Sequence, residues 1–98
     1  MALHPACHVV EDYLAAMFPR SVIEEFEWSA QRSWVFKVSV PRKTFHLLVS
    51  TKLLDQTNEH EIDRLLRELQ VASRMRLADR EWPLLTAEGV VLGLPKPA

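Results

Sequence analysis

The chain has 98 residues, 48% of them hydrophobic and 26% charged, with a formal net charge of −1. A chain of this length buries roughly two thirds of the surface that its unfolded form exposes, which supports one core and one domain over residues 1–98. The composition excludes a disordered chain, the charge gives none of the basic excess of a typical nucleic-acid module, and one cysteine, Cys7, excludes an internal disulfide and suits a reducing, cytoplasmic setting.

Pro5 suits the first turn of a helix, where its missing N–H costs nothing. Cys7, Val10, Leu14 and Met17 follow at spacings of three and four, with Tyr13 and Phe18 beside them, and Pro19 stops the helix. A first strand is expected over Val22 to Trp28. A second, Ser33 to Val40, alternates cleanly: Trp34, Phe36, Val38 and Val40 share one face, Val35, Lys37 and Ser39 the other. A third, Lys43 to about Leu53, turns Phe45, Leu47 and Val49 inward and His46, Leu48 and Ser50 outward. The links Ser29–Arg32 and Pro41-Arg42 are short enough only for antiparallel neighbours, which predicts a meander.

Asn58 with Glu61 three residues later forms a capping-box pattern. Ile62, Leu65, Leu66, Leu69 and Ala72 continue at helical spacing, which predicts one long helix over 58–78. Acids crowd its start, and Arg74, Arg76 and Arg80 its end, as the helix dipole favours. Beyond Trp82-Pro83, the segment Leu84 to Leu92 reads as a hairpin or a fourth strand around Thr86-Ala87-Glu88-Gly89, and 94–98 as a frayed end. The expected fold is α+β in α-β-β-β-α order: an antiparallel meander with both helices on one face and a short extra C-terminal strand or hairpin. Its core should hold Val10, Leu14, Phe26, Phe36, Val38, Phe45, Leu47, Ile62, Leu65, Leu66 and Leu69, with Trp82 closing it.

Helix, three strands, helix is also the element order of the double-stranded-RNA-binding domain, and the chain is similar to that family in this order alone. That family carries a glycine-containing hairpin and a lysine-rich start to its last helix. Here the helix opens Asn58-Glu59-His60-Glu61-Ile62-Asp63, an acidic run that repels phosphate.

The chemistry-bearing residues form no catalytic set. His8 and Asp12, like Cys7 and Glu11, stand four apart on the first helix, but Cys7 lies on the apolar face and His8 does not, so no metal site is expected. Cys7 as a nucleophile needs a base beside it, and His46 sits on the outward face of a distant strand. Glu25 and Glu27 are expected on that outward face, within reach of Lys37. No serine lies in a nucleophile elbow. Two glycines, Gly89 and Gly93, are too few and too late for a phosphate loop, so no cofactor is expected. The N-terminus shows no basic-then-apolar leader, and no run approaches the ~20 apolar residues of a membrane span.

Trp28 and Trp34 flank the first turn. If they face each other they make either an aromatic platform for a partner or part of the core. The outward face carries Val35, Lys37, His46 and Leu48, and Val90 and Leu92 offer a further edge. These eight residues are the candidate partner-binding set of a non-catalytic protein-interaction module, homodimeric through its sheet face or edge. The alternative is nucleic-acid binding through Arg42, Lys43 and Lys52 on the strands and Arg74 and Arg76 on the long helix.

Overall fold

A computed structural model describes residues 6–78 and 81–95. Its described residues form four α-helices and a five-stranded mixed sheet in the order β1-β2-β3-β4-β5. Helix α1 spans Cys7–Met17 and buries Cys7, Val10, Tyr13 and Leu14; Pro5 lies outside the described residues. Strands β1 (Val22–Trp28) and β2 (Ser33–Val40) take the expected bounds, and β3 covers Lys43–Ser50. These three form the antiparallel meander that their short links require.

The third strand stops three residues short of its expected end. Thr51–Gln56 is a short helix, α2, and both Leu53 and Leu54 are buried on it. A strand would have sent these neighbours to opposite faces. A turn of helix at the end of the sheet brings both into one core.

The single long helix is two. Helix α3 runs Glu59–Glu68 and α4 runs Val71–Leu77, with Gln70 between them in the left-handed conformation at φ 51°. The cause lies in the pattern beyond Leu69. Ile62 and Val71 are both fully buried. They are two and a half helical turns apart, so an unbroken helix would point them in opposite directions. Breaking the helix lets both enter one core. The start of α3 is as the sequence implies: the Asn58 side chain accepts a hydrogen bond from the Glu61 backbone N–H at 2.8 Å.

The C-terminal segment is the expected hairpin, β4 (Glu81–Thr86) with β5 (Gly89–Pro95). It joins the sheet by pairing β4 parallel to β3, Leu48 opposite Leu84 and Val49 opposite Leu85. The sheet is therefore mixed, not a pure meander, because the chain leaves β3 through helices and re-enters in the same direction. Leu94 and Pro95 are paired with Trp82 and Glu81; of the segment 94–98 expected to fray, 96–98 lie outside the described residues. Pro83 sits at the register irregularity between Trp82 and Leu84, where a missing ladder N–H is tolerated.

Buried residues of all four helices share one core with Trp34, Phe36, Val38, Leu47, Val49 and Leu85 of the sheet. Of the expected core, Phe45, Leu65 and Leu69 pack at its margin, and Phe26 is absent from it. Phe26 is 47% exposed on the opposite face. No described helix is long and apolar enough to cross a membrane.

Candidate functional site

The connection Ser29–Arg32 closes through a 3₁₀ turn and Arg32 in the left-handed region at φ 50°. That four-residue link pairs Trp28 with Ser33 and therefore Glu27 with Trp34. Paired residues share a face, so Trp28 and Trp34 lie on opposite sides of the sheet, not together. Trp34 is 6% exposed in the helix-covered core. The same register turns Ile23, Glu25 and Glu27 toward the helices. It puts Val22, Glu24, Phe26 and Trp28 on the open face, the reverse of the expected sides for Glu25, Glu27 and Phe26.

The open face carries a second, smaller cluster to which no described helix contributes. Val35 and Leu48 are fully buried there beneath Trp28, Trp82 and Leu84. Trp82 lies on this face rather than in the helix-side core. Its ring meets Trp28 edge-on at 6.3 Å between centroids and stacks on His46 at 3.9 Å and 9°. His46 and Trp82 each stand two residues before the Leu48–Leu84 pair, on the same face as that pair. Trp82 is 9% exposed, and its indole Nε1 is buried with no hydrogen-bond partner. Beside this roof stand the exposed apolar side chains of Phe26 and Val91, with Val22 exposed farther along β1. A row of charge crosses beside them, Glu24 opposite Lys37 and Lys37 opposite His46.

Of the eight expected partner-binding residues, Trp28, Lys37 and His46 reach this surface. Val35 and Leu48 belong to the same face but lie buried under the tryptophans. Trp34 and Val90 pack on the helix side. The Leu92 side chain lies outside the described residues. Sequence reasoning missed Phe26, Trp82, Leu84 and Val91. The length of the first link carried the signal for Phe26, since an even-numbered loop fixes which positions share a face.

On the helix side, Glu25 faces α1. Its carboxyl is held above the ordinary value of 4.5, first by burial and then by the like charge and hydrogen-bonding of Glu11. Glu25 Oε2 is buried with no hydrogen-bond donor.

The basic residues divide between two ends of the molecule. Arg76 lies over the Phe18 ring at 4.6 Å and donates to the Met17 carbonyl at 2.5 Å. Phe18 packs on Phe45, and Lys43 lies over Phe45 at 5.1 Å, beside Arg42 in the turn. Arg74 donates to the Leu69 carbonyl at 2.8 Å. Lys52 stands beyond the far end of β3, roughly 25 Å along the strand from Lys43. Arg64 and Arg67 pair along α3 with Glu61, Glu68 and Asp63.

Cys7 is buried in the helix-side core and His46 stands on the other face of the sheet, so the two do not meet. His8 approaches Glu59 of α3 at 3.4 Å, not Asp12. Among the described residues no three His, Cys, Asp or Glu side chains converge as a metal site. A groove of about 500 Å³ lies where the first turn meets α2. It mixes Glu27 and Asp55 with Arg32 and Lys52, without a convergent set of one kind. No family model, no curated protein and no solved structure matches the chain.

Proposed function

We propose that the chain is a small, non-catalytic protein-interaction module, an adaptor, chaperone-like or regulatory subunit, that acts in the cytoplasm as a homodimer. The observation that carries this reading is the sheet face that no described helix covers, where Phe26 and Val91 stand exposed beside the Trp28–Trp82–His46 roof. Exposed apolar surface of this kind marks an interaction site, and aromatic residues are enriched where partners meet. A two-fold pairing sets the same patch against itself, so each apolar side chain counts twice. Sedimentation velocity on the full chain tests this. The expected result is a dimer that Val91→Asp converts to a monomer with unchanged circular dichroism. A monomer at the highest concentration attainable would refute it.

A second reading has one observation in its favour. Arg76 and Lys43 are brought to a single aromatic pair, Phe18 and Phe45, with Arg42 adjacent. This corner would meet phosphates of a nucleic acid, while the rings beneath are already covered. It requires an affinity that falls with added salt and weakens in Arg42→Ala.

A further inference from the structure

We propose that β1 is the docking edge for an extended, cationic segment of another protein, which adds to the sheet as a sixth strand. This rests on the reading of the chain as an interaction module and names the chemistry of its partner. Strand β1 is one end of the sheet, and no described backbone group outside β2 pairs with it. Half of its N–H and C=O groups therefore point away from the sheet, a template for main-chain pairing. The other edge, β5, ends at Pro95, and a proline blunts an edge. Strand β1 has no proline and no bulge in its pairing with β2.

The sequence of β1 selects what can pair there. It reads Val-Ile-Glu-Glu-Phe-Glu-Trp. In a two-fold pairing with a second copy, a register centred on Glu25 sets Glu25 against itself, and one centred on Glu24 does the same for Glu24. A centre between two residues would oppose side chains of different faces, so only centres on a residue can pair. Centring on Phe26 opposes Glu25 and Glu27. Every two-fold register that pairs five or more residues of the strand thus sets glutamate directly against glutamate. Like charges so placed are destabilising, and opposite charges are favourable. The strand therefore disfavours two-fold pairing with a second copy and favours a strand that carries cations.

The two faces refine the partner further. Toward the helices stand Glu25 and Glu27, with Glu11 of α1 beside Glu25. Toward the open face stand Phe26 and Trp28. An incoming strand alternates, so lysine or arginine on one side meets the glutamates while apolar residues on the other extend the aromatic patch.

The probe is a short peptide with blocked termini that alternates lysine and valine, titrated into the isotope-labelled full chain, with an alternating glutamate–valine peptide as control. The expected result is amide shifts and slowed hydrogen exchange over 22–28 with the lysine peptide alone, and binding that weakens with salt. Glu25→Gln with Glu27→Gln should weaken it about fivefold, from two cross-strand charge pairs. Glu27→Lys, at an exposed position on the helix side, sets cation against cation and should weaken it with little demand on packing. Equal affinity for these variants, shifts elsewhere, or no shifts at all would overturn the proposal. If the peptide fails while the chain still forms a dimer sensitive to Val91→Asp, the edge proposal falls and the interaction-module reading stands. If the peptide docks on β1 of a monomer, the edge proposal stands and the homodimer falls.

Discussion

The Tyr13 hydroxyl accepts a hydrogen bond from the backbone N–H of Ala72 at 3.1 Å, in a buried setting. Ala72 lies in the first turn of α4, where backbone N–H groups have no partner within the helix. The residue before α4, Gln70, supplies no side-chain cap. Tyr13 therefore caps this helix from across the core. Tyr13→Phe keeps the ring and leaves the Ala72 N–H without its acceptor. A buried polar group stranded in this way costs roughly 1–3 kcal/mol. A cleft of about 360 Å³ adjoins, lined by Tyr13, Met17, Arg67, Gln70 and Ser73, and water reaching the amide would bring the loss to the lower end. We expect about 1.5 kcal/mol, which for a domain of this size lowers Tm by roughly 6–12 °C. Urea unfolding followed by tryptophan fluorescence measures the loss, with the slope unchanged if the native state stays compact. Hydrogen exchange gives the local readout: the Ala72 amide should speed up while that of Leu66 keeps pace with global unfolding. A change under about 0.5 kcal/mol with Ala72 still protected would refute the cross-core cap.

Two further outcomes follow from the same structure. The raised Glu25 carboxyl binds its proton more tightly folded than unfolded, so its contribution to stability is greatest at acid pH and is lost as pH rises through its folded value. Glu25→Gln should stabilise the protein by about 1 kcal/mol at neutral pH, where the carboxylate faces Glu11 without a donor. Urea melts at neutral pH and near the ordinary carboxyl value should show this gain shrinking on acidification; a gain constant across that range would count against the Glu11–Glu25 pairing. Leu48→Ala removes the residue beneath the tryptophan roof and should cost roughly 2–5 kcal/mol, as in a helix-covered core. A loss under 1 kcal/mol in the same urea assay would mean that the open-face cluster is not a packed core.

Local period and turn length made much of the fold legible. Strands β1 and β2 took their bounds from alternation and from the residues that interrupt it. The Asn58 cap was readable from one side chain and one spacing. What escaped were features decided by the path of the whole chain. The break at Gln70 occupies an unfavourable backbone region for a residue with a Cβ. It is held there because Ile62 and Val71 must both enter one core. The parallel pairing of β4 on β3 likewise depends on where three helices deliver the chain. No residue within β4 encodes it.

The candidate site was obscured for a different reason. A tryptophan has no fixed side: its face is set by the parity of the loop that precedes it. Trp28 and Trp34 share even numbering, yet the four-residue link puts them on opposite faces. That inversion moved Phe26 outward and Glu25 inward together, and so created both features of interest at once. An apolar residue became part of an exposed patch, and two acids came to line the helix side of an open edge. The face and the edge then ask for different partners. The face exposes Phe26 and Val91, whereas the edge is acidic and sets like charges together in a two-fold pairing. Under the two proposals, a second copy would join through one surface and leave the other free for a cationic strand.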